Sequence, residues 1–319
     1  MNHATFKKGY MLVAASILLW TTGACGYKPP QQAGPSPQSQ QQPTTLDGNS
    51  TSYESLSEGG PPKALPSTPA TSPKPTPKLQ EGKENQEREN VPLTLADLHQ
   101  KYRSTFLFNG PSDVRQAALT FDDVPDTVYT NQILDVLKQY GVKATFFVVG
   151  NRAEAHPEVV TRIMKEGHAI GNHSYSHPNL AKTDDDKFRD EVLRTEQILA
   201  GITGYTHKLF RPPYGNVTEP QILWLASQNY HIINWNVDSL DWKGLTAEQV
   251  TANVLGHVVP GAVILQHGAG GEGEDLTGTV QALPIIIEKL IASHIQLVTV
   301  PEIFKLNEST KVNSPIRNP

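Results

Sequence analysis

"AALTFDDVPD", residues 117 to 126, decides how the rest of the chain is read. Ala117 to Phe121 form an apolar run suited to a strand, and two adjacent carboxylates, Asp122 and Asp123, stand directly behind it. Neighbouring carboxylates repel, and one of them must keep its proton unless a cation intervenes. A turn is the ordinary explanation, because Asp before Val-Pro-Asp is common loop chemistry. The other is a working site, since functional groups of parallel α/β proteins gather at the carboxyl ends of strands. This stretch by itself leaves both open.

Outward from it, short β-prone runs alternate with helical patterns. Strands are expected at 117–121, 144–149, 168–171, 207–210, 231–237, 262–266 and 295–299. Between them, Ile133, Leu134 and Leu137 share a helical face, as do Val192, Leu193, Leu199 and Ile202, and Ile285, Ile286, Lys289 and Leu290. Alternation over roughly 200 residues predicts one α/β domain with a largely parallel sheet. Periodicity does not separate an open sheet from a barrel.

Polar clusters follow these strands. "GNHSYSHPN" places His173 and His177 four apart, with Pro178 disfavouring helix at His177. Two imidazoles and a carboxylate form a common open zinc site, although a His pair alone is as often structural. "RPPYG" supplies Arg211, "NVDSLDW" supplies Asp238, Asp241 and Trp242, and "VILQHG" ends on His267. His168 reads as a satisfied strand histidine, Asp238 as a structural acceptor, and Asp184 to Asp186 as a solvated helix start. Tyr175 either lines a groove or packs.

Thr-Phe-Asp-Asp, His-x-x-x-His, Arg-Pro-Pro-Tyr-Gly, Asp-x-x-Asp-Trp and Leu-Gln-His, in that order, resemble the five motifs of the polysaccharide deacetylases of carbohydrate esterase family 4. The resemblance covers roughly 115 to 305. It implies a distorted (β/α) barrel with about seven parallel strands, and metal-dependent removal of acetyl from N-acetylated sugars by cleavage of a linear amide C–N bond. On this pattern Asp123, His173 and His177 hold one divalent metal ion, Zn2+ or a similar ion such as Co2+, which relieves the Asp–Asp repulsion. Asp122 is the general base, paired with Arg211. Pro212 and Pro213 have no N–H, so the first backbone donor after Arg211, Tyr214, receives the oxyanion, as the resemblance also implies. His267 protonates the departing amine, oriented by Asp241. Trp242 walls the groove and Leu265 covers the acetyl methyl. Val124 stands where the family usually has Gly, and its backbone is expected in the β region before Pro125.

The remaining segments concern location. Lys7-Lys8 followed by an apolar stretch to Ala24 form an export signal too short to span a membrane, and Gly23-Ala24-Cys25 resembles the end of a lipobox with Cys25 as the lipidated residue. Cys25 is the single cysteine, which excludes an internal disulfide framework. Residues 27–90, rich in Pro, Gln, Ser and Thr, are expected to be a disordered tether. The expected division is 1–26 anchor, 27–90 linker, 91–114 lead-in, 115–309 catalytic domain and 310–319 tail. A net charge of −5 offers no basic footprint for nucleic acid. The partners expected are an N-acetylated glycan and a membrane reached through the lipid anchor, which place the protein outside the cytoplasm, on the outer face of the bacterial cell membrane or secreted; the oligomeric state stays open. Tether, location and the likeness of "WNVDSLDW" (235–242) to cell-wall members favour peptidoglycan N-acetylglucosamine as substrate. Chitin oligomers, an exopolysaccharide, a catalytically silent tethered glycan-binding protein and a metal phosphoesterase are the alternatives.

Overall fold

The computed structural model describes residues 74–80, 93–271, 273–307 and 309–312. The anchor, Cys25 and most of the tether lie outside them. Eleven strands are present among the described residues: β1 (Phe106–Leu107), β2 (Gln116–Val124), β3 (Thr145–Val148), β4 (Ala169–Asn172), β5 (Tyr205–His207), β6 (Leu209–Phe210), β7 (His231–Ile233), β8 (Val237–Asp238), β9 (Ala262–His267), β10 (Gln296–Val298) and β11 (Ser309–Lys311). The helices are α1 (Leu95–Lys101), α2 (Tyr129–Tyr140), α3 (Gly150–Ala155), α4 (Pro157–Lys165), α5 (Asp185–Thr203), α6 (Glu219–Ser227), α7 (Ala247–His257), α8 (Thr277–Ala292) and α9 (Val300–Phe304).

Nine strands form one sheet in the order β1-β7-β6-β4-β3-β2-β9-β8, with β10 added on β2. Every pairing within it is parallel. The sheet must curl. β7 lies next to one end of the order and β8 is the other end, yet only Asn234 to Asn236 separate them. Four residue steps span at most roughly 14 Å, so the two ends approach each other and the sheet becomes a half-barrel.

The strand count exceeds the expected seven because several expected strands are broken. The run 207–210 divides between β5, which pairs antiparallel with β11 in a separate two-stranded sheet, and β6 in the main sheet. The run 231–237 divides into β7 and β8, where the chain crosses the barrel mouth. β1 is two residues long, too short for any periodicity to register.

Alternation along β2 and β9 creates two apolar layers. Ala117, Leu119, Phe121, Ala262 and Ile264 face outward onto Ile133, Leu134 and Leu137 of α2, Val250 and Val254 of α7, and Leu283, Ile286, Ile287 and Leu290 of α8. Ala118 and Val263 face inward with Phe147, Leu209, Ile233, Val298 and Ile303, filling the barrel below the site. Gly171 makes room for that plug, because a Cβ there would meet the Phe147 ring at 2.5 Å. Two expected helix faces need correction. Leu193 and Ile285 are exposed at 37% and 41%. The buried stripe of α8 instead runs 283, 286, 287, 290, which keeps the three-and-four spacing.

Within the expected tether, residues 74–80 carry no regular secondary structure and are hydrogen-bonded to the domain. Gln80 N donates to Ser176 O at 2.9 Å, Thr76 Oγ1 lies 2.9 Å from His156 Nε2, and Pro77 O accepts from Arg152 Nε at 3.2 Å. Asp184 caps α5, its side chain accepting from Lys187 N, as a solvated helix start should.

Two buried histidines serve structure. His168 Nδ1 accepts from Ala144 N at 3.2 Å, and His207 Nε2 lies 2.9 Å from Thr203 Oγ1. Burial pushes both rings down to about 4, whereas an unfolded chain titrates them near about 6.5. Between those values the unfolded chain binds protons that the folded chain does not, so stability is present above about pH 6.5 and is lost as pH falls toward 4. Melting temperature is expected to drop between pH 7 and roughly pH 4.5, and His207→Gln to shrink the drop. A flat profile in the parent protein would contradict this.

Candidate active site

Successive residues of a strand face opposite sides, so Asp122 and Asp123 should diverge. They converge because β2 bulges. Its register against β3 shifts between Phe121 and Val124, and Asp123 adopts a left-handed φ of 65°. Both carboxylates therefore reach His173 Nε2, Asp123 Oδ1 at 3.5 Å and Asp122 Oδ2 at 3.8 Å. Val124 itself stays in the strand, as expected, and the special conformation falls one residue earlier.

The histidine loop leaves β4 at Asn172 and makes two left-handed turns, at Ser174 (φ 64°) and His177 (φ 63°). Side chains fix both turns. Asn172 Oδ1 accepts from Ser174 N and Ser174 Oγ accepts from His177 N. Glu191 of α5, fully buried, accepts from the backbone N–H groups of Tyr175 and Ser176 and from Ser176 Oγ. The loop thus aims both imidazoles inward, with His177 Nε2 3.3 Å from Asp123 Oδ1. Tyr175 packs: Arg194 lies 3.5 Å over its ring and its hydroxyl donates to Glu154.

Arg211, fully buried, organises the two acids' neighbours at once. Its Nη1 donates to Asp122 Oδ1 at 2.7 Å and to Thr120 Oγ1 at 2.8 Å, while its Nε donates to Ile233 O. Its own carbonyl accepts from His173 Nδ1 at 2.7 Å. That bond places the His173 proton on Nδ1 and leaves the Nε2 lone pair facing the acids. Burial raises the Asp122 carboxyl above the ordinary range, with Arg211 the largest opposing influence.

Asp122 and His267 are register partners on adjoining strands, so the second half of the site comes from β9. His267 Nδ1 donates to Asp241 Oδ1 at 2.8 Å. Asp241 also accepts from His267 N, Trp242 N and Thr279 Oγ1. These partners hold its pKa below the usual carboxylate value despite burial, and they turn the Nε2 edge of His267 away from Asp241. Leu265 lies two residues before His267, hence on the same face, paired with Asp238. Asp238 accepts from Leu240 N at 2.8 Å, the structural role expected of it. Tyr214 has a left-handed backbone (φ 59°) and its ring meets His177 edge-on at 4.8 Å. Trp242 is half-buried with Lys243 Nζ over its ring.

The arrangement fits a divalent cation. Ligand atoms of Asp123, His173 and His177 lie within 4.8 Å of one another, all buried. Asp123 Oδ1 is buried with no hydrogen-bond partner among the described residues, an arrangement that disfavours a carboxylate unless a cation supplies the missing interaction. Burial pushes His173 down to about 4, so its ring is neutral and able to ligate at neutral pH. Sequence reasoning overlooked Glu191, Thr279 and Arg152. None of these lies in a short motif, and no local pattern marks them.

The chain is 48% identical over 206 residues to a peptidoglycan-N-acetylglucosamine deacetylase of Bacillus cereus, a match covering 65% of this chain and 74% of that one. This chain belongs to the polysaccharide deacetylase family. The family model described as polysaccharide deacetylase matches this deacetylase at residues 109–233. A solved structure of a peptidoglycan N-acetylglucosamine deacetylase bound to 4-naphthalen-1-yl-N-oxidanyl-benzamide superposes with a TM-score of 0.63 at 47% identity, covering 65% of this chain and 97% of that one. A peptidoglycan-N-acetylglucosamine deacetylase of Listeria monocytogenes is 35% identical over 231 residues; the match spans 68% of this deacetylase and about half, 47%, of that longer protein.

Proposed function

We propose that this deacetylase hydrolyses the N-acetyl group of N-acetylglucosamine in peptidoglycan, releasing acetate and leaving a free amine. The observation that carries the reading is the different partnering of two adjacent buried acids. Asp122 is held by a guanidinium, whereas Asp123 Oδ1 faces two imidazole nitrogens and has no hydrogen bond among the described residues. Asp123, His173 and His177 would hold one divalent ion, taken to be Zn2+. Such an ion, when bound, acidifies a water and polarises the acetyl carbonyl.

Asp122 takes the proton of the attacking water at Oδ2, while Arg211 on Oδ1 favours its ionised form against the effect of burial. The backbone N–H of Tyr214 receives the charge that develops on the carbonyl oxygen. His267 delivers a proton from Nε2 to the sugar nitrogen as the C–N bond breaks, and Asp241 stabilises the imidazolium before that transfer. Leu265 and Trp242 border the acetyl methyl. His267→Gln is expected to lower kcat by about 10²–10⁴-fold, read as acetate release; a kcat within threefold of the parent would remove His267 from the acid's role.

Peptidoglycan is favoured by what the Bacillus and Listeria relatives are named for, and by an N-terminal segment suited to export and to lipidation at Cys25. The domain assigned to the reaction is 115–309. Acetate release from peptidoglycan and from N-acetylchitopentaose, before and after chelation, tests the reading. Release from peptidoglycan that stops on chelation and returns with Zn2+ or Co2+ is expected. Release from the chitin pentamer alone would move the substrate to chitin oligomers. No acetate from any acetylated glycan, with metal bound, would favour a silent glycan-binding protein. Palmitate labelling is expected to disappear in Cys25→Ala, and its survival would refute lipidation there.

A further inference from the structure

Arg152 is 2% exposed and lies outside every motif of the site. Its guanidinium ends on three backbone carbonyls. Nη1 donates to Asp123 O at 2.6 Å, Nη2 to Gly270 O at 2.7 Å, and Nε to Pro77 O at 3.2 Å. The three carbonyls belong to three separate parts of the chain. Asp123 carries the central carboxylate of the metal trio, Gly270 lies three residues beyond His267, and Pro77 belongs to the docked segment 74–80.

Burial opposes the charge on this guanidinium, and the carboxylates of Asp123, Asp126 and Glu274 support it. A buried arginine is a costly way to fill space, since an apolar side chain of similar volume would avoid the desolvation. A packing role is the bland explanation, but packing requires neither five fixed donors nor a planar fork. The position of the bond to Asp123 matters more. Asp123 holds a left-handed φ of 65°, an unfavourable conformation for a residue with a Cβ. That conformation brings its carboxylate onto the same side as that of Asp122. A donor fixed on the Asp123 carbonyl restrains the peptide unit that sets this geometry.

We infer that Arg152 is a positioning residue for metal binding: it clamps the Asp123 peptide, ties it to the loop behind His267, and so keeps the Asp123 carboxylate facing His173 and His177. The inference rests on the reading of Asp123 as a metal ligand. Arg152 touches neither the reacting atoms nor the metal ligands' donor atoms. It acts through one backbone unit, as outer-shell residues do when they tune the affinity of a metal site.

The test is zinc affinity of the full chain, measured by competition with a chromophoric chelator after metal removal, for the parent protein, Arg152→Met, Arg152→Lys and Asp123→Asn. Thermal melting of each metal-free protein is followed in parallel. Arg152→Met is expected to weaken zinc binding by about 10–100-fold, the usual range for an outer-shell change. Arg152→Lys, which keeps the charge and can reach one carbonyl, is expected to fall between it and the parent. A purely structural role would lower the melting temperature of the arginine variants and leave their zinc affinity where it was, and that result overturns the inference. Should Arg152→Met fail to fold, Arg152→Lys decides: zinc affinity within twofold of the parent overturns the inference, and a loss of threefold or more supports it. Asp123→Asn separates the underlying reading. If it binds zinc as tightly as the parent, Asp123 is no ligand and the premise falls; if it loses zinc while both arginine variants keep it, only the role of Arg152 falls.

Discussion

Asp122→Asn lowers kcat by about 10²–10⁴-fold while zinc binding persists. The substitution is nearly isosteric. The Asn carbonyl can still accept from Arg211 Nη1, which sits 2.7 Å from Asp122 Oδ1 in the parent. Only the negative charge and the basicity at the second oxygen disappear. The ligand atoms of Asp123, His173 and His177 are untouched, so metal content per chain should stay at the parent level. Steady-state acetate release, together with metal analysis of the same sample, checks both halves. A variant with kcat within tenfold of the parent would show that Asp122 is not the base. Loss of metal together with loss of rate would place Asp122 among the ligands.

Arg211→Met destabilises the fold by about 3–5 kcal/mol, the largest stability effect expected of a single substitution in the site. The guanidinium is fully buried and its donors end on Asp122 Oδ1, Thr120 Oγ1, Ile233 O and Asn234 O. It also stacks 4.1 Å from the Phe147 ring, where the polar site meets the apolar plug. Methionine fills much of the volume and satisfies none of these acceptors. Asp122 would be left as a buried acid without its cation, which is the costly half of breaking a buried pair. Urea unfolding of the metal-free proteins measures the loss. The same change made in Asp122→Asn should cost less, because no charge is stranded. Equal costs in the two backgrounds, or a loss under about 1 kcal/mol in the parent, would mean the pair is not a buried electrostatic unit.

Much of this site was legible because its residues sit at strand ends in short recurring patterns. The apolar runs before Asp122 and His267 read as strands and are strands, and the register that pairs them brings the two residues side by side. His173, His177, Arg211 and Asp241 fall where their motifs put them. What could not be read has a common physical cause: it depends on backbone geometry or on contacts far apart in sequence. No pattern in "TFDDV" announces a bulge with its left-handed residue at Asp123. Nothing local distinguishes Arg152, whose three acceptors lie 29, 118 and 75 residues away. The splitting of 231–237 into two strands, one next to one end of the sheet order and one at the other end, follows from the curl of the sheet, which periodicity along one strand does not encode.

Val124 has a partner across the site. A Cβ placed on Gly268 would come within 2.4 Å of Val124 Cγ1, far inside any tolerated separation. The branched residue after the acid pair therefore occupies the place where a side chain at 268 would begin. Gly268 directly follows His267, so even a single methyl there would act as a wedge, driving the strand of His267 away from that of Asp122. The two positions form one joint, and a chain that alters either must refit the other.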